Sequence, residues 1–98
     1  MEITLKVNYV DGKSDTVTAV FADFVAFERT WNKSVMKLER EMRLTDLSWL
    51  AWHVLKFEGK TEKVFDPDWL RTVAALETVA ADEPEQVDSP LEKDQPLG

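Results

Sequence analysis

The sequence has no cysteine among its 98 residues, which excludes disulfides and thiolate metal sites. Its three glycines stand in none of the patterns that cradle a phosphate. The single histidine, His53, has no second imidazole or thiolate with which to complete a metal set. No apolar run approaches the roughly 20 residues of a membrane span, and the N-terminus does not resemble a secretory signal. We therefore expect a cytoplasmic protein that is not an enzyme, needs no cofactor and does not bind membranes.

Charge and proline divide the chain into two parts. Residues 82–98 contain six acidic residues against Lys93, a net charge of −5, and three of the four prolines. The first 81 residues hold thirteen acids and eleven bases, a net charge of −2, so the folded part offers no electrostatic footprint for nucleic acid. We predict one domain over residues 1–81 and a disordered acidic tail over residues 82–98.

Alternating apolar and polar residues predict a β-hairpin at the N-terminus. Residues 2–10 place apolar side chains at positions 3, 5, 7 and 9, the pattern of a strand with one buried face. Asp11-Gly12 is a turn signal, and the β-branched residues of 16–20 follow as a second strand. Because an isolated hairpin is only marginally stable, we expect helices to cover its apolar face.

Apolar residues at three- and four-residue intervals predict the first helix. It is expected at about 23–32, with Asp23 as its N-cap and Phe24, Phe27 and Trp31 on its apolar side. The pattern weakens between residues 32 and 43, and this stretch could be helix or ordered loop.

Two further helices are predicted after residue 43. Thr45 or Asp46 should cap a central helix that is apolar nearly all round and that Gly59 ends. A last helix should begin at Asp66-Pro67-Asp68, with Trp69, Val73, Leu76 and Ala80 along one face. The expected fold class is therefore α+β, with an N-terminal β-hairpin packed on a small bundle of three to four helices.

The four tryptophans are numerous for a core of about eighty residues. Trp31 and Trp69 lie on regular apolar stripes and are predicted to belong to the core. Trp49 and His53 lie on the far side of the central helix from its main apolar stripe, and Trp52 lies at the edge of that stripe. Core packing and partner contact are balanced interpretations for Trp49, and we favour an open partner-binding surface by a small margin. His53 is interpreted as a packing or interface residue.

Basic residues concentrate in the weakly patterned segment, at Lys33, Lys37, Arg40 and Arg43. Acidic residues interrupt them and no aromatic residue interleaves, so they are unsuited to binding nucleic acid. A solvated helix face is the simpler interpretation, and a contact for an acidic partner is the alternative.

Three segments together resemble tail assembly chaperones of long-tailed bacteriophages. They are Phe27-Glu28-Arg29-Thr30-Trp31, Leu47-Ser48-Trp49-Leu50-Ala51-Trp52-His53 and Phe65-Asp66-Pro67-Asp68-Trp69-Leu70. The resemblance covers roughly residues 20–72. It implies a non-enzymatic protein that binds the long, coiled-coil tape-measure protein and keeps it soluble until tail-tube subunits polymerise round it.

The resemblance also implies partners and a place of action. Proteins of that family are commonly made in a short form and a longer, frameshifted form, and this chain would be the short one. The longer form and the tail-tube protein are therefore further candidate partners, as is a second copy of the chain, in the cytoplasm of the infected host cell.

The rival interpretation is a small regulatory binding protein, such as an inhibitor or antitoxin. Such a protein would act through its aromatic surface or would fold its acidic tail onto a basic partner. Co-purification distinguishes the two, because a tail assembly chaperone should retain an elongated helical protein and an antitoxin a small basic one.

Overall fold

The computed structural model describes residues 1–79. In chain order its elements are β1 (Ile3–Tyr9), β2 (Ser14–Ala19), α1 (Phe21–Trp31), α2 (Val35–Glu41), α3 (Leu44–Phe57), two helical turns (Phe65–Trp69 and Leu70–Thr72) and β3 (Val73–Val79). The fold class is α+β, as predicted: helices cover one face of a three-stranded antiparallel sheet. The predicted disordered tail, residues 82–98, and the predicted domain boundary at residue 81 lie outside the described residues.

The predicted hairpin is present, and it forms two of the three strands. β1 pairs with β2 in a register that sets Leu5 opposite Val17, and both side chains are buried. Gly12 lies in the turn with a φ of 93°, a value that a side chain would make costly. The opposite face of the sheet is polar, and there the hydroxyl oxygens of Thr4 and Thr18 lie 3.0 Å apart. The sheet therefore has one face in the core and one in solvent.

The predicted last helix is wrong. Only two short turns follow Val64, and the chain then continues as β3, which pairs antiparallel with β1 and makes β1 the central strand. Trp69, Val73 and Leu76 have helical spacing, but Val73, Thr78 and Val79 are β-branched and suit a strand. In a hairpin alone, the backbone N–H and C=O groups on one side of β1 would have no partner. Pairing with β3 supplies hydrogen bonds to these groups. This tertiary pairing outweighs the local helical pattern.

Helices α1 and α3 both begin earlier than predicted, and the acids expected at their N-caps lie in the first turn instead. Val20 precedes α1, and its N–H donates to Asp23 Oδ2 at 2.8 Å. Arg43 precedes α3, which places Asp46 at the third helical position. Each carboxylate still lies near the positive end of its helix dipole, which explains why an acidic residue occurs there. The predicted N-cap positions of Asp23 and of Asp46 are nevertheless wrong.

The segment left open between residues 32 and 43 contains a helix. Asn32 takes a left-handed conformation that ends α1, with a φ of 53°. Ser34 then caps α2, its Oγ accepting a hydrogen bond from Met36 N–H at 3.0 Å. Gly59 ends α3 as predicted: Lys60 N–H donates to Leu55 O at 2.8 Å, and Gly59 N–H donates to Lys56 O at 3.0 Å, which is the Schellman arrangement.

Helix α3 lies at the centre of the core. Its predicted apolar stripe is buried, as Leu47, Leu50, Ala51, Val54 and Leu55. β1 and β2 contribute Leu5, Val7, Val17 and Ala19 to the same cluster. The remaining buried members are Trp49 of α3 and residues of α1, α2 and the turn at Trp69. The core is therefore a sandwich of sheet and helices with α3 as its main helical component.

Replacing Leu50 by alanine should destabilise the fold by about 2–5 kcal/mol, because the side chain is fully buried and the cavity can close only in part. Chemical denaturation measures the change in unfolding free energy. Met36→Ala, a truncation on the exposed side of α2, is the matched control and should stay within about 0.5 kcal/mol of the parent. Equal stability of the two variants would mean that α3 is oriented differently.

The environment of the Tyr9 hydroxyl predicts a loss of stability at alkaline pH. Burial and the hydrogen bond that its hydroxyl donates to Asp15 Oδ2 at 2.8 Å raise the pKa of Tyr9 from 10.0 to about 12. The contribution of the Tyr9 hydroxyl to the unfolding free energy is complete below pH 10, because the hydroxyl is then protonated in both the folded and the unfolded state. It is lost as pH rises through about 12. Tyr9 is the only tyrosine, so tyrosinate absorbance follows it directly. Tyr9→Phe should remove this component of the alkaline loss, and an unshifted tyrosinate titration would contradict the prediction.

Candidate functional site

The outer face of α3 carries the aromatic residues that the sequence singles out. Trp49, Trp52, His53 and Lys56 are spaced at three- and four-residue intervals, so they share one side of the helix. This side is opposite the stripe that contacts the sheet. The structure therefore brings three of the seven candidate residues together, and the degree to which each is covered decides what it can contact.

Trp49 is covered by the domain itself, with 6% of its surface exposed. The ring centroids of Phe27 and Trp31, both on α1, lie 6.2 and 6.4 Å from that of Trp49. His53 stacks on it from the next turn of α3, with centroids 4.8 Å apart. The interpretation of Trp49 as part of an open surface is wrong, because α1 packs across this side of α3.

Trp31 provides part of that cover and is itself 37% exposed. Its prediction as a core residue is wrong, whereas Trp69, predicted in the same way, is buried. Trp31 is the last residue of α1, and its ring meets Trp49 edge to face at an interplanar angle of 87°. One side of the indole is therefore packed and the other is available to a ligand or partner.

Trp52 is half-buried and held in a fixed orientation. Its indole N–H donates to the carbonyl oxygen of Lys63 at 2.9 Å. Its ring centroid lies 5.6 Å from that of Phe65, and Lys56 Nζ stands 5.5 Å from the ring centroid, within cation–π range. Trp52 therefore presents a rigid, partly exposed aromatic surface beside a positive charge.

His53 connects α3 to the beginning of α1. Its Nε2 lies 3.4 Å from Asp23 Oδ1, and 30% of the histidine side chain is exposed. Because the other oxygen of Asp23 accepts the N–H of Val20, one carboxylate both holds the helix start and orients the imidazole. The arrangement explains His53 as a packing residue with one accessible edge, which is the role expected from the sequence.

Phe57 extends this surface, and the sequence reasoning missed it. It lies four residues beyond His53 on the same helix and is 84% exposed. Val20, His53 and Phe57 line a shallow groove of about 290 Å³ between α3 and the start of α1. The signal was present, since Phe57 continues the spacing of the outer face just before Gly59. We define the aromatic surface as Trp31, Trp52, His53 and Phe57.

The basic candidates separate into one structural residue and three surface residues. Lys33 Nζ lies 3.2 and 3.3 Å from the two carboxylate oxygens of Asp46, a residue only 1% exposed. Lys37 and Arg40 are exposed on α2, and Arg43 is exposed immediately before α3. Lys33 therefore compensates a buried charge, while the other three remain accessible to an acidic partner.

The described residues show no further constellation of chemical groups. Within residues 1–79, no group of three or more His, Cys, Asp or Glu side chains is placed to hold a metal ion. None of the helices in this range is both long and apolar enough to cross a membrane. No protein-family model, curated protein or solved structure matches the chain. The accessible aromatic and basic side chains are therefore the features from which a function can be inferred.

Lys33→Ala should destabilise the protein by about 1–3 kcal/mol, because it leaves the Asp46 carboxylate buried without its cation. The matched control is Lys37→Ala, which removes an exposed lysine of the same segment and should change stability by less than about 0.5 kcal/mol. Thermal or urea unfolding compares the two. Equal effects would show that the ion pair contributes nothing and would restore Lys33 to the accessible basic residues.

Proposed function

We propose that the protein is a tail assembly chaperone of a long-tailed bacteriophage. It is a non-enzymatic protein that binds the tape-measure protein in the host cytoplasm and keeps it soluble while the tail assembles. The observation that carries this proposal is the aromatic surface, where Trp31 and Phe57 are exposed and Trp52 is half-buried on a rigid framework. The resemblance of residues 20–72 supplies the identity of the partner.

The aromatic surface suits an apolar helix better than a small polar ligand. Coiled-coil helices carry a continuous apolar stripe that must be covered until they find their own partners. Accessible aromatic side chains can receive such a stripe in the helix-in-groove manner. Aromatic residues give large contact area with little loss of side-chain entropy, so a few of them can hold a long helix.

The packing beneath this surface favours binding without rearrangement. Trp49 is fixed between α1 and His53, and Trp52 is fixed by its hydrogen bond to Lys63. A surface whose side chains are already ordered loses less entropy when it binds. Trp49 therefore supports partner binding from below, although it cannot itself contact a partner in this conformation.

Charged groups near the aromatic surface supply contacts for the polar sides of a helix. Lys56 stands over Trp52. Lys37, Arg40 and Arg43 form a separate accessible basic region on and after α2. Acidic segments of the tape-measure protein, of the frameshifted longer form or of the tail-tube protein are the ligands that this region fits.

The proposal predicts opposite behaviour for two aromatic truncations. Phe57→Ala should leave the unfolding free energy within about 0.5 kcal/mol of the parent, since the ring is exposed. The same variant should weaken binding of the co-expressed tape-measure protein by about thirtyfold or more, as expected of a hot-spot residue. Trp49→Ala should instead cost about 3–5 kcal/mol of stability, and any loss of binding should follow from unfolding. Co-purification and calorimetric titration measure the binding.

Met36→Ala controls for exposure alone, because Met36 is an exposed apolar residue of α2, and it should bind as the parent does. A folded Phe57→Ala protein with parental affinity would remove the aromatic surface from the hypothesis and direct attention to Lys37, Arg40 and Arg43. Retention of a small basic protein in place of an elongated helical one would favour the regulatory alternative.

A further inference from the structure

The outer edge of β3 presents unpaired backbone groups, and the hydrogen-bond pattern shows which residues carry them. Tyr9 N–H donates to Lys13 on the β2 side, and Val10 N–H donates to Thr72 on the β3 side. The backbone N–H and C=O groups of successive strand residues point to opposite edges of the strand. The backbone groups of Thr4, Lys6 and Asn8 therefore point towards β3. Their partners Val79, Glu77 and Ala75 point back, so the N–H and C=O groups of Leu76 and Thr78 face outward. Ala74 lies at an irregularity of the pairing, between the pairs Asn8–Ala75 and Tyr9–Val73. Within residues 1–79 no strand pairs with these outward-facing groups.

Natural sheet edges are usually protected by prolines, by charged residues or by inward-pointing charges. β3 has the sequence VAALETV, with Glu77 as its one charged residue, and Glu77 Oε2 accepts a hydrogen bond from Asn8 Nδ2 at 2.8 Å. The outer edge of β2 differs, because Asp15 is half-buried on the core-facing side of that strand. β3 is thus the edge suited to pairing.

The chain's own C-terminal sequence is unsuited to this edge. Nineteen residues follow Val79, and they contain Pro84, Pro90 and Pro96 and six acidic residues. Proline donates no hydrogen bond and is restricted in central strands. The longest stretches between these prolines contain only five residues. Residues 80–98 are therefore unsuited by sequence to supply a strand that matches β3, whereas β3 of a second copy has the matching length.

We propose that β3 pairs with β3 of a second copy, antiparallel about a twofold axis at Leu76, to form a continuous six-stranded sheet. This register sets Leu76 opposite Leu76 and Ala74 opposite Thr78. Leu76 faces outward on both copies, so this central pair can exchange two backbone hydrogen bonds, and Thr78 offers a further outward N–H and C=O on each side of it. The same surface serves on both copies, as a twofold interface requires.

The charges of β3 are compatible with this register. Glu77 of one copy lies opposite Ala75 of the other, so the pairing places no like charges face to face. Pairing β2 with itself about Thr16 would set Asp15 opposite the buried Val17.

An apolar groove beside β3 adds to the surface that the second copy would cover. It has a volume of about 290 Å³ and lies between the start of α3 and β3, with Leu44, Leu70, Val73 and Leu76 among its lining residues. Leu44 is largely exposed. A strand ladder alone buries little area for a stable dimer, for which roughly 1,200–2,000 Å² in total is usual. The twofold brings the two grooves together along the joined sheet and increases that area.

Sedimentation velocity on the full chain without any partner protein tests the proposal, so the outcome does not depend on tape-measure binding. The parent should show a reversible monomer–dimer equilibrium. Thr78→Pro removes an outward N–H without removing a bond to β1, and it should be monomeric. Thr78→Ala keeps the N–H and should dimerise as the parent does.

Two charge substitutions test the register itself. Ala75→Glu faces Glu77 of the other copy and should raise the dimer Kd by roughly 2- to 30-fold, while Ala75→Lys should lower it by a similar factor. Circular dichroism checks that each variant is folded. If Thr78→Pro does not fold, the two Ala75 substitutions alone test the proposed pairing. A parent that remains monomeric at millimolar concentration overturns the proposal. A dimer that responds to neither Ala75 substitution overturns it as well.

Discussion

Helix α3 is apolar around most of its circumference, and the positions of the other elements are fixed by the need to cover it. One side, which carries the buried Leu50 and Val54, meets β1 and β2. The opposite side carries Trp49, whose indole α1 covers with Phe27 and Trp31. Neither layer alone could remove this helix from water. The sheet and α1 therefore depend on α3 more than on each other.

Two carboxylate contacts fix how the helices surround α3. Asp23 and Asp46 both occupy the third position of a helix, where a negative charge complements the dipole. Each also contacts a cationic or ionisable group from another element: Asp23 contacts His53, and Asp46 contacts Lys33. The first pair ties the start of α1 to α3, and the second ties the start of α3 to the segment before α2. Local capping and tertiary placement therefore use the same carboxylates.

The sequence alone predicted the elements whose periodic pattern agrees with their final environment. The hairpin and α3 have such patterns, and Gly12 and Gly59 mark their ends in the expected way. The caps were displaced because an acid at the third helical position and an acid at the N-cap leave the same signature. β3 was missed because its pairing partner, β1, is some seventy residues away and a local window cannot contain it.

The candidate site was predicted in part, for a related reason. Helical spacing placed Trp49, Trp52 and His53 on one face, but it could not show that α1 crosses that face and buries Trp49. It also gave no indication that the α1 C-terminus leaves Trp31 exposed. The same helical spacing could have identified Phe57 as a member of this face. Which aromatic residues are accessible depends on helix packing, and that is a property of the whole fold.

The central position of β1 has a consequence for the order in which a nascent chain can fold. β1 emerges from the ribosome before β2 and β3, yet its second neighbour, β3, ends at Val79. The hairpin can close as soon as β2 is made, since the loop is short. One whole side of β1 must wait until nearly all of residues 1–79 have been synthesised, and closing so long a loop is slow. During translation the chain therefore exposes an unfinished strand edge, which is the state most open to incorrect pairing with other chains.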